Sequence, residues 1–338
     1  MGKFSLQVPR RLSSLVVLLL LAACGGGGGS DGNPSPDPVV YNGNANVAVV
    51  TATNAPRLTG DLFDSDATFT TIAGVSVESG AETQNRGSGL TDLARRLSRI
   101  FRDGPASAEQ ASSAQRLVAG LIPIDRTEPC DFNTGSIRES GTLNDDNTGT
   151  LEVSFNSCLI DGVTLNGPAT LRVDAVASPF PAPLDFTLSF ARLTLRGPGL
   201  SIDAGGTLRT QVTSPPDTET ITINLVSLNN STSETGKTEN LVFVDVYVNT
   251  FIGTPVTSNV SGRVFDHVHG YVDVTTPVLL VFNTQTQLFP DSGQVLLTGG
   301  QNSSVLATAL SATSVKLDVD LDGVGGFDSS VTLNWTDL

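Results

Sequence analysis

Apolar and polar residues alternate in short runs from Pro129 to the C-terminus. Leu151, Val153 and Phe155 alternate with polar residues, and a period of two is typical of a strand with one buried face. The same pattern predicts strands near 171–173, 184–190, 221–225, 241–248, 260–266, 270–275, 278–283, 294–298, 304–310, 314–321 and 329–335. Polar turn residues separate these runs, and no helical pattern intervenes. We therefore predict a large antiparallel meander that forms a curled sheet, an open barrel or a sandwich.

Two of these runs allow more specific predictions. The apolar phase of 184–190 shifts to Leu193 and Leu195, which indicates a β-bulge near Ala191. The run 241–248 is apolar on nearly both faces, so we expect a central, covered strand there.

The preceding stretch, 39–120, alternates poorly and is predicted to be mainly helical. The clearest helix runs from about Gly89 to Arg102, a second spans about 107–119, and weaker helical candidates lie within 54–77. The predicted fold class is therefore α+β: mainly β over 121–338, as one domain, with the N-terminal helices packed on it. The first helix carries the one basic patch of the chain, which either contacts anionic lipid or is simply solvated; its residues are Arg95, Arg96, Arg99 and Arg102.

The first residues have the pattern of a signal peptide. Lys3, Arg10 and Arg11 precede an apolar run that is much shorter than the roughly 20 residues of a spanning helix. The run ends in Leu-Ala-Ala-Cys, which resembles the lipobox of bacterial lipoproteins. That resemblance implies a signal peptide over 1–23 and acylation of Cys24, and Gly25 in place of Asp favours the outer membrane. An ordinary secretory peptide with a chance cysteine is the alternative.

Residues 24–38 contain a run of glycines followed by a Pro-rich stretch and offer no apolar side chain for a core. We predict a lipidated tether with a reach of roughly 20 Å, and a folded part that begins near Val39.

The net charge of the chain restricts the kinds of partner that it is expected to bind. The net charge is −15, and removal of the leader leaves 16 basic against 34 acidic residues, a net charge of −18. Such a charge repels nucleic acid, so we expect no nucleic-acid partner, and it suits the binding of cations. The membrane is then expected to be reached through the lipid on Cys24.

Cys130 and Cys158 remain as a pair when Cys24 is lipidated. In an oxidising compartment we expect them to form a disulfide, which stabilises the fold by roughly 3.5 kcal/mol in the chain-entropy model. A metal or redox pair would instead need CxxC-like spacing or a nearby histidine, and neither is present.

Near the C-terminus, carboxylates at alternate positions precede a glycine, as in the first half of a calcium loop. We predict a calcium site formed by Asp318, Asp320, Asp322 and Asp328. The alternative is a plain strand edge with Val315, Leu317, Val319 and Leu321 inward and the acids in solvent. The full EF-hand pattern is absent, because its twelfth position is Ser329.

Three further motifs have simpler explanations. Asn144–Gly149 is expected to be a hairpin turn more than an ion loop. His267 and His269, the two histidines of the chain, would face one side of a strand, yet no third ligand is fixed by spacing. Ser231–Thr238 resembles a phosphate-binding loop but lacks the first glycine, and a strand is predicted to follow it, so we expect a β-turn.

Three segments resemble a family of uncharacterised proteobacterial lipoproteins. They are Cys130 to Gly167 with its Phe-Asn-Ser-Cys element, Ser261–Phe265 with Gly270–Thr276, and Pro290–Gly293 leading to the acidic stretch and Trp335. The resemblance supports the compartment and the disulfide and implies no activity. Members of that family carry a fuller aspartate loop, whereas this chain has Leu321 in place of a glycine and extra residues at Gly325 and Gly326.

The sequence thus predicts a lipid-anchored envelope protein with a structural or binding role, with calcium as its one candidate cofactor. No nucleophile elbow, His-Glu-x-x-His or dinucleotide fingerprint is present, so we expect that the protein is not an enzyme. Two alternatives stay open. A carrier of lipid or another apolar ligand would need a large apolar cavity behind 241–248, and a cell-envelope hydrolase would need a cleft joining a histidine to carboxylates.

Overall fold

The computed structural model describes residues 36–63, 121–130, 133–160, 162–176, 183–197, 200–213, 217–247, 255–284 and 287–338. Within these ranges the chain forms one α-helix, α1 (Ala55–Phe63), and fourteen strands. The strands are β1 (Leu121–Pro129), β2 (Ser136–Asn144), β3 (Gly149–Ile160), β4 (Val163–Val176), β5 (Pro183–Gly197), β6 (Leu200–Thr213), β7 (Thr218–Asn229), β8 (Thr235–Tyr247), β9 (Val256–Asp266), β10 (Gly270–Phe282), β11 (Ser292–Thr298), β12 (Ser304–Ser311), β13 (Ser314–Asp320) and β14 (Ser329–Asn334). Short 3₁₀ turns lie at Gly300–Asn302 and Trp335–Asp337.

Each strand pairs antiparallel with the next strand in the chain, so the sheet is a single meander from β1 to β14. In the described part of the chain no ladder joins β1 to β14, and the sheet is curled rather than closed. The predicted mainly β fold with a curled antiparallel sheet is confirmed. The predicted bulge near Ala191 is also present, because the register between β5 and β6 shifts between Phe190 and Leu193.

The strand predictions were wrong in two places. The segments predicted separately at 270–275 and 278–283 are one strand, β10, whose ladder to β11 is interrupted between Thr275 and Val278. Strands β1, β2 and β6 had no counterpart among the predicted runs. Prolines interrupt the apolar pattern of β1, β2 has few apolar residues, and paired glycines interrupt β6.

Glycine kinks curve the sheet at several register shifts. Gly206 of β6 has φ +135°, and a Cβ there would lie 2.1 Å from the Asn224 carbonyl oxygen. Gly262 of β9 has φ +132° and would place a Cβ 2.2 Å from the Asn240 carbonyl oxygen. Only glycine allows this approach, and each kink faces a shift in register of its own strand or its neighbour. Gly167 and Gly293 repeat the arrangement on β4 and β11.

The concave face of the sheet holds one continuous apolar core. Side chains at alternate positions of β3 to β13 are buried there, among them Ile221 and Ile223 of β7 and Leu241 and Phe243 of β8. Strand β8 is central, as predicted, and its opposite face is half-buried. Burial of this face is the main source of stability for such a sheet.

Helix α1 packs into the same core through Leu58 and Leu62, and Phe63 makes an edge contact with the buried Trp335. It lies inside the stretch 54–77 that was predicted to hold weak helices. The helices predicted at 89–102 and 107–119, and the arginine patch, lie outside the described residues.

Before α1, residues 39–50 run across the sheet, and we call this segment the strap. The Val39 amide donates to the Ala191 carbonyl on β5, and Val47 forms a parallel bridge with Tyr271. The Val50 amide donates to Ser303 Oγ. From Tyr41 onward the strap follows one end of the sheet, which we call the strap end; its turns are residues 230–234, 267–269, 299–303 and 321–328.

Candidate functional site

The loop between β13 and β14 gathers three of the four predicted carboxylates. Oxygens of Asp320, Asp322 and Asp328 all lie within 4.8 Å of one another, a spacing at which one cation can contact all three. In the described residues no lysine or arginine pairs with these three side chains.

Backbone amides hold the loop in shape around the carboxylates. Asp320 Oδ1 accepts from the Gly323 amide at 2.8 Å, and Asp328 Oδ2 accepts from the Leu321 amide at 2.7 Å. Gly323 has φ +71° and its Cα faces Asn302, which closes the loop against the 299–303 turn. Asp322 and Asp328 are exposed and Asp320 is half-buried, so a cation from solvent can reach the three carboxylates.

Asp318 is not part of this group. It is buried on β13, where Lys316 Nζ lies 2.9 Å from its Oδ1. Val315, Leu317 and Val319 point into the core, as the strand-edge alternative requires, whereas Leu321 is exposed because β13 ends at Asp320.

A second polar cluster lies at the strap end, where α1 meets β9. Arg57 Nε donates to Asp266 Oδ2 at 2.5 Å, and Arg57 Nη2 donates to Glu234 Oε2 at 3.1 Å. The other oxygen of Asp266 accepts from the amides of Val268 and His269. The Asp266 side chain is 1% exposed, so this carboxylate depends on Arg57 and the two amides for its charge to be tolerated.

Tyr41 of the strap belongs to the same cluster. Its hydroxyl lies 2.9 Å from the carbonyl oxygens of both Asn44 and Asp266, which share its one donated proton. Burial raises the pKa of Tyr41 above its ordinary value, and the nearby Asp266 and Asp61 raise it further. Burial alone would lower the pKa of Arg57, but the Asp266 carboxylate outweighs it, and the pKa of Arg57 is raised.

The histidines do not lie on a strand, as the pattern predicted, but in the β9–β10 turn with Val268 between them. His267 lines a small polar cleft together with Asp61, Glu234 and Asp266. Its Nδ1 accepts from the Thr235 amide at 3.3 Å. No group that could hold a metal ion includes either histidine in the residues the structure covers.

Cys130 and Cys158 form the predicted disulfide, with 5.4 Å between their Cα atoms. The bond fixes the β1–β2 turn against β3, and Cys158 is fully buried. Cys24 and the leader lie outside the described residues.

The two weaker motifs form turns. Asn144–Gly149 is the β2–β3 hairpin turn, where Asp146 Oδ1 accepts from the Thr148 amide at 2.9 Å, and Thr148 lowers the pKa of Asp146. Ser231–Thr238 spans the β7–β8 turn and the start of β8, so no helix follows it.

Sequence reasoning did not find the cluster around Arg57. Its partners are 177 and 209 residues away in the chain, so no local spacing marks them. Arg57 is one of two charged residues of α1, with Asp61, and this local pattern does not indicate its distant partners.

Comparisons of this chain with protein-family models, with curated proteins and with solved structures find no match. Among the described helices, none has both the length and the apolar character needed to cross a membrane.

Proposed function

We propose that this chain is a lipid-anchored protein of the bacterial outer membrane, with a structural or binding role rather than an enzymatic one. The membrane is reached through acylation of Cys24. The loop of Asp320, Asp322 and Asp328 binds calcium, which ties the C-terminal edge of the sheet together.

The disulfide is the observation that carries the export part of this proposal. Disulfides persist in oxidising compartments and are rare in the cytosol. Cys130 and Cys158 are joined, and Cys24 is the third cysteine in the sequence. The Leu-Ala-Ala-Cys motif that ends at Cys24 supports a role for this cysteine as the site of acylation.

The calcium part depends on the contrast between Asp318 and the other three acids. Asp318 is neutralised by Lys316, whereas the loop carboxylates repel one another at close range with their charge facing solvent. A divalent cation is the simplest source of the missing positive charge, and oxygen ligands favour calcium.

The anchor is tested in the native host by mass spectrometry of the N-terminal peptide and by membrane fractionation on a density gradient. We expect an acylated Cys24 at the N-terminus and co-sedimentation with the outer membrane. Cys24→Ser should move the protein to the soluble fraction. The double variant Cys130→Ser/Cys158→Ser is the matched control and should remain acylated. A retained Met1 or an unmodified Cys24 thiol in the wild-type protein would contradict the proposal.

A second candidate function is hydrolysis of cell-envelope polymers. It is favoured by the cleft that brings His267 beside Asp61, Glu234 and Asp266. It is weaker because Arg57 and backbone amides already engage Asp266, so the carboxylate is held as a structural group. Release of soluble fragments from purified peptidoglycan, lost in His267→Gln, would support it, and absence of release by the wild-type protein would reject it.

The carrier alternative receives no support from the described residues. Leu241 and Phe243 are buried in the continuous core behind β8, and the cleft at the strap end is polar.

A further inference from the structure

Two carboxylates are buried side by side on the concave face of the sheet, and we call them the acid pair. Glu219 of β7 and Asp245 of β8 are 3% and 5% exposed and are direct cross-strand partners. Burial alternates along both strands, so they share this face with Ile221 and Phe243. They lie at the end of the sheet opposite the strap end. Buried like charges at this spacing repel each other and are poorly solvated, so the acid pair requires a positive charge beside it.

The polar groups around the acid pair leave a place for a hydrogen-bond donor. The Tyr247 hydroxyl donates to Glu219 Oε2 at 2.7 Å. Ser258 of β9 is directly opposite Asp245 and fully buried, and its Oγ has no hydrogen-bond partner among the described residues. A buried hydroxyl of this kind marks a polar neighbour still to be placed. A guanidinium carries five N–H donors in one plane, which is enough for both carboxylates and the hydroxyl.

The charges of the described strands are engaged elsewhere. Every lysine and arginine in the described residues forms an ion pair with an acid other than these two. The rest of the sequence holds three basic residues in the leader and six arginines within 64–120. Four of those six form the basic patch of the helix predicted over 89–102. Charge complementarity therefore favours this segment as the source of the cation.

The apolar part of the concave face also needs a second layer of chain. Leu151 of β3, Phe186 of β5 and Ile223 of β7 are 3% exposed or less. Helix α1 packs mainly on β9 and β13, and its nine residues span about 14 Å, whereas β3 to β8 extend over about 24 Å. About eight strands can fill a barrel with their own side chains, and fourteen curled strands enclose more space. Residues 64–120, which join α1 to β1, are long enough to cover this area.

We propose that residues 89–102 form a helix that packs on the concave face across β5 to β8 and pairs Arg96 with the acid pair. Arg96 follows Leu93 by three residues and precedes Ile100 by four, so it borders the apolar face of this helix. Its stem packs on apolar surface while the guanidinium reaches the carboxylates. Arg95 falls on the opposite side of the helix and stays in solvent. The basic patch is thus an internal docking element and not a lipid contact.

The test compares substitutions in the chain from residue 24 onward with Cys24→Ser. Arg96→Met should lower the melting temperature by several degrees, because it leaves the acid pair without its cation. In an Asp245→Asn background the same substitution should lower it by less than half as much, since part of the uncompensated charge is gone. Arg95→Met is the matched control and should shift the melting temperature by about 1 °C or less in both backgrounds.

A second measurement locates the segment with all its arginines intact, and it decides the question if Arg96→Met does not fold. Photoreactive benzoylphenylalanine replaces Phe101 on the predicted apolar face, and the same probe at position 95 is the control. After irradiation, mass spectrometry should find crosslinks from position 101 to peptides of β5 to β8, and none from position 95.

Two results would overturn the proposal. One is an equal effect of Arg96→Met and Arg95→Met on the melting temperature, with both substitutions weakening the binding of anionic vesicles, which would assign the patch to lipid. The other is a set of crosslinks from position 101 that all fall outside β5 to β8.

Discussion

Two groups of three carboxylates lie at the strap end, and they differ in how their negative charge is balanced. Asp61, Glu234 and Asp266 surround Arg57, and the strap and α1 cover the most buried of them. Asp320, Asp322 and Asp328 lie close together near the surface, without a cationic side chain from the described residues. The first group is completed by the protein itself, and the second is left for a cation from outside. Similar acidic clusters can thus be a structural element or a binding site, and the position of one arginine separates them.

The largest effect is expected for Arg57→Met, which tests whether Arg57 balances the charge of the first group. The substitution keeps the side-chain stem and removes the charge. Asp266 would then be a buried carboxylate without its cation, and we expect a loss of about 3 kcal/mol in the free energy of unfolding. The measurement is denaturant unfolding at neutral pH. The control is Arg138→Met, whose ion pair with Asp125 is largely exposed and should contribute about 0.5 kcal/mol or less.

A double variant isolates the charge itself. Arg57→Met/Asp266→Asn should recover part of the loss, because the uncompensated charge is gone. If Arg57→Met lowers the free energy of unfolding by no more than Arg138→Met does, Arg57 does not balance the charge of the first group.

The second group is tested by calcium. At 100 times its dissociation constant, a bound ion should stabilise the fold by about 2.7 kcal/mol, which is measured as a rise in melting temperature relative to chelator. Asp322→Asn should abolish the rise while keeping the hydrogen bond to the Val324 amide. Asp145→Asn in the β2–β3 turn should leave it intact. If millimolar calcium does not change the melting temperature of the wild-type protein, the loop does not bind calcium.

A smaller effect is expected at Tyr41, which links the strap to the first group. Tyr41→Phe removes a part-buried hydrogen bond and should cost about 1 kcal/mol at neutral pH. Tyr271→Phe is the control, since its ring packs on Phe265 and Arg263.

The same residue gives a pH dependence with a definite sign. The pKa of Tyr41 is raised in the folded state. Its contribution is therefore fully present below the unfolded value near 10 and is lost as the pH rises above it. Between pH 9 and pH 11 the wild-type protein should lose stability more steeply than Tyr41→Phe, and parallel curves would contradict this role.

The smallest effect has the opposite sign to the first. In chelator and at low salt, Asp322→Asn should stabilise the protein slightly, by roughly 0.5 kcal/mol or less, because it relieves repulsion within the loop. Asp145→Asn serves as the baseline in the same buffers. A loss of stability in Asp322→Asn under these conditions would mean that the loop carboxylates are already compensated.

Local features of this fold could be read from the sequence, and long-range ones could not. The alternation at Leu151, Val153 and Phe155 and the phase shift before Leu193 each report the pleat of a single strand, so the strands and the bulge were predictable. Strand β6 was not, because Gly205 and Gly206 interrupt its apolar pattern where the sheet bends.

The two sites differ for the same reason. Asp320, Asp322 and Asp328 are close in the chain, and a turn brings them together. The turn also separates them from Asp318, whose strand position is decided by pairing with β12 and β14. Arg57 and Asp266 meet only after α1 has packed into the sheet, which no spacing in the sequence encodes.

The strap has a consequence for the order in which the chain can fold. Every described strand pairs with its neighbour in sequence, so the hairpins close short loops and can form one after another as the polypeptide is synthesised. Residues 41 and 50 emerge early, yet their partners at 266 and 303 follow 225 and 253 positions later. The strap can therefore complete these contacts only after the C-terminal strands have formed, and it closes over the sheet in the last steps of folding.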